Sequence, residues 1–405
     1  MKTIFLLSTF PKISETFILS QITGLIDLGA DVEIIAFKKA DTSEIHPLVE
    51  QYHLMEKVKY VSSRNGIVRG LRLAGTMLSH PVATVKFFNK HQYHLVTALR
   101  SLELSRQAKS LSSSDAIIAH YGPIGATVAN LRAVNLLPAV NLITFFHGFD
   151  LTAFVKKNGV IAYKQLFAQN NKILTINRLF QEKLYEIGVR TEQVSVWHMG
   201  VSVDLFEFQP HEVQSELKLL SVGRLVEKKG FDTTIEIVSK LNNAGINTHL
   251  DIIGDGSLKE QLVQQITDLN LQKNVTLLGS QNQQQVHEQI VASDFFVLMS
   301  RTSTNGDKEG IPVVLMEAMA SGLPVISTLH SGIPELITDK ESGWLVPEHD
   351  AHAGFEAVKR ALQDLAKLNQ IKSNAREKIE LEFNSELLNQ RLLKLCEKED
   401  RRNEK

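Results

Sequence analysis

Five short segments carry residue types whose spacing could do chemistry. The richest runs Glu309-Gly310-Ile311-Pro312-Val313-Val314-Leu-Met-Glu317 and continues Ala-Met-Ala-Ser-Gly-Leu-Pro-Val325. Pro312 suits the first turn of a helix, where its missing N–H costs nothing. Gly322 and Pro324 then end that helix, with Glu309 just before it and Glu317 inside it. Eight helical residues span about 12 Å, comparable to a nucleotide diphosphate plus a sugar. The helix N-terminus between the two acids offers unpaired N–H groups and a positive dipole end to an anion. One carboxylate can face a sugar while the other accepts hydrogen bonds from a ribose. An ordinary amphipathic helix with two solvated glutamates has the same spacing.

The second segment is Ser221-Val-Gly223-Arg224-Leu-Val-Glu-Lys228-Lys229-Gly230. A strand ends at Gly223, which permits close backbone approach; Arg224 can then grip phosphate oxygens in a fork. The basic pair adds point charge, although a solvated basic turn reads the same way. In the third, Ile252-Ile253-Gly254-Asp255-Gly256, the two glycines signal a tight turn. It is not a full G-x-G-x-x-G, and no G-x-x-x-x-G-K-[ST] occurs, so P-loop chemistry is unsupported. The fourth, Phe145-Phe146-His147-Gly148-Phe149-Asp150, could aim His147 from a strand end into a ligand site, or hold a structural histidine. The fifth runs from Ser8 to Phe17 and contains Lys12, Ser14, Glu15 and Thr16. Ser14 and Glu15 read as helix-start residues with a capping role. Their loop nevertheless lies where a substrate of the first half would sit.

Strands must end just before these loops, and the sequence supplies them. In the first half they are Thr3–Leu7, Val32–Phe37, Val58–Val61, Ala116–Ala119, Asn141–Phe146, Ile173–Ile176 and Val194–Trp197. In the second they are Lys218–Val222, His249–Ile253, Val275–Leu278, Phe295–Met299, Pro324–Ser327 and Trp344–Val346. Most are unalternated Val, Ile and Leu, the pattern of strands covered on both faces in a parallel sheet. Helical stretches between them imply right-handed βαβ units. The rhythm pauses at Asp204 to Glu216. The expected architecture is therefore α/β, with two doubly wound, Rossmann-like domains facing across a cleft. The first spans 1–205 and the second 206–380. A C-terminal helix within 381–405 is free to cross back to the first domain. Ligands in such sheets bind at the carboxyl ends of the strands.

Hydrophobic residues make up 43 % of the 405 and charged residues 22 %, which excludes general disorder. Lys plus Arg number 44 against 45 Asp plus Glu, so a bulk electrostatic partner such as nucleic acid is not expected. The single cysteine, Cys396, excludes an intramolecular disulfide or a Cys-rich zinc site. Apolar runs such as 116–131 and 318–334 are broken by polar residues, Gly or Pro and fall short of the roughly 20 residues of a spanning helix. Met1 to Leu7 reads as a buried strand rather than a signal peptide. Between Glu56 and Lys109 the charge is strongly basic. Arg69, Arg72, Lys86 and Lys90 lie among Leu71, Leu73, Met77, Phe87 and Phe88, and only Glu56 and Glu103 oppose the cations. That reads as a face for an anionic membrane or as a solvated face over an ordinary core.

Together the five segments resemble retaining glycosyltransferase family 4, whose fold is the two-domain GT-B. The G-R-x-x-x-K-K-G run, the E-x7-E run ending A-S-G-L-P-V and Ser331-Gly332-Ile333-Pro334-Glu335 carry the resemblance, most strongly over 217–347. Phe10-Pro-Lys-Ile-Ser-Glu-Thr-Phe17 is similar to a bacterial exopolysaccharide subgroup that includes colanic acid biosynthesis enzymes. The glycine-rich first loop of many relatives is absent.

The resemblance implies roles. Arg224 and Lys229 would bind the donor diphosphate, with Gly223, Gly254 and Gly256 in the loops beside it. Glu309 would contact the donor sugar. The N–H groups around Gly310, Ile311, Val313 and Val314 would help hold sugar and phosphate, and Glu317 would accept from the ribose hydroxyls. His147 would line the reacting centre, and Lys12, Ser14, Glu15 and Thr16 the acceptor side. The donor would be a UDP- or GDP-linked sugar and the acceptor a lipid-linked oligosaccharide. No D-x-D triplet occurs, so no metal or other cofactor is expected. The enzyme would be cytoplasmic, peripheral on the inner face of the membrane. A sugar-nucleotide epimerase and a non-catalytic nucleotide-sugar-binding subunit are the alternatives.

Overall fold

The computed structural model describes residues 1–397 apart from 13–14, 42–44, 210–212 and 214–215. Ser14 and the end of the charged tail therefore lie outside the described residues. Each stretch read as a strand is one. The chain divides into two compact units, Met1–Trp197 together with the segment from Ser385, and His198–Asn384. The division falls ahead of the polar pause because Val201, Val203 and Phe206 already pack in the second core.

The first unit holds β1 (Lys2–Phe10), β2 (Asp31–Lys39), β3 (Val58–Tyr60), β4 (Ala116–His120), β5 (Asn141–Phe146), β6 (Lys172–Thr175) and β7 (Val194–Val196). They lie parallel in the order β3-β2-β1-β4-β5-β6-β7. The second holds β8 (Leu217–Val222), β9 (Thr248–Ile253), β10 (Val275–Gly279), β11 (Phe295–Leu298), β12 (Val325–Thr328) and β13 (Trp344–Val346). Its order is β10-β9-β8-β11-β12-β13, again parallel throughout. Strand order reverses beside β1 in one sheet and beside β8 in the other, and such a switch point opens a crevice at the carboxyl ends of the strands. Central strands are buried on both faces, as their unalternated sequences require.

Among the helices, α1 (Thr16–Asp27) follows β1. Next come α2 (Gly66–Ser79), α3 (Pro81–Phe87), α4 (Leu95–Ser105) and α5 (Gly122–Ala133). In the second unit α6 (Val313–Ala320) carries Glu317. The last, α7 (Ser385–Cys396), returns to the first unit and lies on α1. Gly24, in mid-helix, makes that approach possible. A Cβ there would stand 1.9 Å from the Asn389 amide, whose nitrogen instead donates to the Ser20 carbonyl at 3.1 Å.

Candidate active site

In the second unit, every sequence-identified group follows a strand's carboxyl end. The loop after β8 presents Arg224, Lys228 and Lys229, and the loop after β11 brings Glu309 to the lysines. Lys228 Nζ lies 3.2 Å and Lys229 Nζ 3.1 Å from the Glu309 carboxylate. Lys228 has a second partner, Asp307, at 3.1 Å. Burial alone would raise the Glu309 carboxyl, but the two ammonium groups outweigh it and hold it below the usual carboxylate range. Burial likewise opposes the Lys228 charge, and Glu309 and Asp307 reverse that. Arg224 is exposed and has no side-chain partner among the described residues. The loops thus present one free guanidinium beside two lysines already gathered at a single carboxylate, a setting that attracts anionic oxygens.

Two further networks fix these loops. Arg301 pairs with Asp232 at 2.8 Å and donates to the Glu227 carbonyl at 3.0 Å, while the Glu227 carboxylate accepts from the Thr304 N–H and hydroxyl. The loops after β8 and β11 are thus tied together on both sides of the basic pair. Below them the fully buried His330 accepts from the Glu309 N–H at Nε2, 3.1 Å away. Its Nδ1 must then carry the proton, which it donates to Glu348 at 2.6 Å. Glu348 in turn accepts from the Thr302 N–H. His330 is a positioning residue for Glu309.

The helix after Glu309 starts one residue later than its sequence suggests. Pro312 is the extended N-cap of α6, not part of its first turn, and residues 309–312 are non-helical. Proline's fixed φ fits either place, and its N–H is dispensable at both. The Gly310, Ile311, Val313 and Val314 N–H groups meet no acceptor among the described residues, so the anion site expected at this helix start is open. Gly322, at φ +82°, closes the helix as a left-handed cap, with the Leu323 N–H on the Ala318 carbonyl.

Glu317 has no side-chain hydrogen bond among the described residues, and burial pushes its carboxyl up to about 7. A sugar diol donates two strong hydrogen bonds to the ionised form, whereas the neutral acid spends one oxygen as an O–H donor. Donor affinity should therefore rise about tenfold from pH 6 to pH 8, with proton release on binding near pH 7. Calorimetry with an intact nucleotide diphosphate sugar, whose phosphates do not titrate here, checks this. Glu317→Gln should flatten the profile, and a flat wild-type profile would contradict the assignment.

The glycines after β9 have a packing role in this structure. A Cβ on Gly254 would stand 1.9 Å from the Gly223 carbonyl oxygen, and one on Gly256 2.5 Å from that of Leu225. They let the loops after β8 and β9 touch, and so set the backbone on which Arg224 stands.

The first unit gathers a second constellation at its own switch point. His147, just after β5, meets His120, the last residue of β4, with Nε2 and Nδ1 3.1 Å apart. Burial drives the His147 ring down to about 3, and burial plus His147 drives His120 well below its ordinary value, so both rings are neutral. His120 Nε2 is buried without a partner. A stranded lone pair costs less than a stranded N–H, which favours His120 Nδ1–H as the donor and leaves His147 protonated at Nδ1. Asp150, three residues on, accepts from the His147, Gly148 and Gly122 N–H groups and pins the loop. Burial raises its carboxyl to about 6 against those three bonds.

Glu15 does not cap α1, although it occupies the N-cap position. Its carboxylate instead takes Lys12 at 2.7 Å and the Tyr121 hydroxyl at 2.9 Å, groups that a charged acid binds more strongly than one more helix N–H. Thr16, the first residue of α1, is exposed. Sequence reasoning singled out His147, named Asp150 in the same segment without a role, and missed His120 and Tyr121. It likewise missed Asp307, Arg301, His330 and Glu348, and left Lys228 without a role. A lone polar residue closing the apolar run Ala116-Ile-Ile-Ala-His120 was the one available signal for His120.

Two switch-point sites on parallel sheets, one lined with cations and an unpaired carboxylate, define a GT-B glycosyltransferase. A family profile described as glycosyl transferases group 1 matches residues 203–378. The colanic acid biosynthesis glycosyltransferase WcaL of Escherichia coli is 37 % identical over 409 residues, covering 98 % of this chain and all of that protein. The amylovoran biosynthesis glycosyltransferase AmsK of Erwinia amylovora is also 37 % identical, over 407 residues, 98 % of this chain and all of its own. In fold the chain is similar to Anabaena HepE, solved in complex with UDP, with a TM-score of 0.74 at 18 % identity over 97 % of this chain and 99 % of that one. The chain belongs to the group 1 glycosyltransferases, in the exopolysaccharide branch that contains WcaL and AmsK.

Proposed function

We propose that this glycosyltransferase moves a sugar from a UDP- or GDP-linked donor, with retention, onto a lipid-linked oligosaccharide unit of an exopolysaccharide. The observation that carries the donor half is the meeting of Lys228 and Lys229 on Glu309, beside a free Arg224 and an unpartnered Glu317. Arg224 and Lys229 take the diphosphate, Glu309 the sugar and Glu317 the ribose. The bond from the anomeric carbon to the β-phosphate oxygen breaks. A bond from the acceptor hydroxyl oxygen forms on the same face, and the hydroxyl proton passes to the departing phosphate. Cations carry the leaving charge in place of a metal ion. His147, neutral, offers one Nδ1–H to the reacting sugar. Lys12, Glu15 and Thr16 belong to the acceptor side. A lipid-linked acceptor puts the enzyme on the inner face of the cytoplasmic membrane.

A thermal-shift screen of UDP-, GDP- and ADP-sugars tests the donor class. A donor at 100 Kd stabilises the fold by about 2.7 kcal/mol, and no stabilisation by any would overturn the reading. An epimerase would interconvert donor sugars without acceptor, and a binding subunit would take donor without turnover. Membership in a branch of named transferases favours neither. Transfer should also proceed undiminished in EDTA. Loss of activity in chelator, restored by Mg²⁺ or Mn²⁺, would contradict the metal-free assignment.

A further inference from the structure

Helix α2 is apolar on two sides. Ile67, Leu71, Ala74 and Leu78 repeat at helical spacing and share one face, and that face is open: Leu71 is 70 % and Leu78 83 % exposed. On the inner side Leu73 and Met77 pack against the cluster of Phe87, Tyr93 and Leu102. Arg69 pairs there with Glu103 of α4, and Thr76 is buried. A helix at a soluble surface ordinarily keeps its outer face polar. The next helix continues the pattern: Val82, Val85 and Phe88 are exposed, while Ala83 and Phe87 pack inward against Tyr93 and Leu102.

The charge around this apolar face is of one sign. No acid occurs between Glu56 and Glu103, and Glu103 is occupied by Arg69. Arg72 and Arg106 line the small pocket behind α2 beside Ser62 and Ser63 and have no side-chain partner among the described residues. Lys86 and Lys90 flank Phe88 and are exposed. Arg69, by its pairing, drops out of the basic face expected from sequence. Among the described residues no helix is long and apolar enough to cross a membrane. An apolar stripe backed by cations fits the water–lipid boundary of an anionic leaflet, with the stripe in the acyl region and the guanidinium and ammonium groups at the phosphates.

We infer that α2 and α3 form an insertion element that seats this protein in an anionic lipid surface, held mainly by apolar burial and only partly by charge. The inference deepens the membrane half of the proposed function and is independent of its donor half. Full-length protein floated with phosphatidylethanolamine–phosphatidylglycerol vesicles should bind, and should stay partly bound at about 0.5 M NaCl, where the screening length falls to a few ångström. The variant Leu71→Gln/Leu78→Gln should bind at least tenfold more weakly at both salt concentrations. Arg72→Gln/Arg106→Gln should weaken binding chiefly at low salt and approach wild type at about 0.5 M NaCl, where charge attraction is already screened. Both sites are exposed, and both variants should keep wild-type circular dichroism and UDP affinity, which separates a failure here from a failure of the donor site. Wild-type protein that ignores these vesicles overturns the inference. So does vesicle binding that the leucine variant leaves unchanged. A wild-type dimer that the leucine variant converts to monomer, with no vesicle binding, would make the face a contact between copies and overturn it equally.

Discussion

Replacing Lys229 by Met should weaken UDP binding by roughly 2–4 kcal/mol, or 30- to 1,000-fold, measured by calorimetry. Lys228→Met should weaken it far less. The two lysines sit at the same carboxylate but are not equivalent. Lys228 is held by both Asp307 and Glu309, so it is anchored and serves to position Glu309. Lys229 has Glu309 alone and can exchange that partner for a diphosphate oxygen at little cost. Loss of either lysine leaves Glu309 one ammonium group, so the acid is never stranded and both variants should fold. Arg224→Ala should resemble Lys229→Met, because an exposed guanidinium without a partner has no structural duty to lose. Unchanged UDP affinity in Lys229→Met and Arg224→Ala would remove both residues from the diphosphate site.

Glu309→Gln should lower kcat by about 10²–10³ with little change in donor KM, whereas Glu317→Gln should mainly raise donor KM, by about tenfold. Positive charge grows on the sugar as its bond to phosphate breaks. An ionised Glu309 then interacts more strongly in the transition state than with the bound donor, and the lysines keep it ionised. A ribose is the same before and during reaction, so the Glu317 contact contributes uniformly and appears in KM. Circular dichroism controls for folding in both. If folded Glu317→Gln loses turnover while folded Glu309→Gln keeps it, the two roles are reversed.

The fold was legible because parallel strands covered on both faces must be written as apolar runs. Ala116-Ile-Ile-Ala and Phe295-Phe-Val-Leu admit few other readings, and even their order along the chain announces βαβ units. The residues proposed for the donor could be grouped from sequence because local spacing holds them: Arg224 to Lys229 is one loop, and Glu309 to Glu317 one loop and helix start. What escaped were partnerships across the fold. Nothing near Arg301 in sequence names Asp232, 69 residues away, and nothing near Glu309 names His330 or, beyond it, Glu348. Those pairings exist only once β8, β11 and β12 stand side by side. Glu15 misled for a related reason. A helix start followed by an acid is a good cap locally, but Tyr121, brought over by β4, made a stronger claim on the carboxylate. The basic stretch at 57–109 was visible as composition, while the outward turn of Leu71 and Leu78 required knowing which face of α2 meets α4.

The return of α7 to the first unit has a bearing on the order of synthesis. The first unit's sheet is complete once residue 196 has been made, yet the groove over α1 stays open until Asn389 arrives to fill the place beside Gly24. Leu392 and Cys396, both fully buried, leave the ribosome long after β7. The whole second unit is translated in between. A nascent chain thus carries a finished sheet with an uncovered seam while all of 198–384 is made, and a chain truncated before Ser385 keeps its second unit whole beside a first unit that is not.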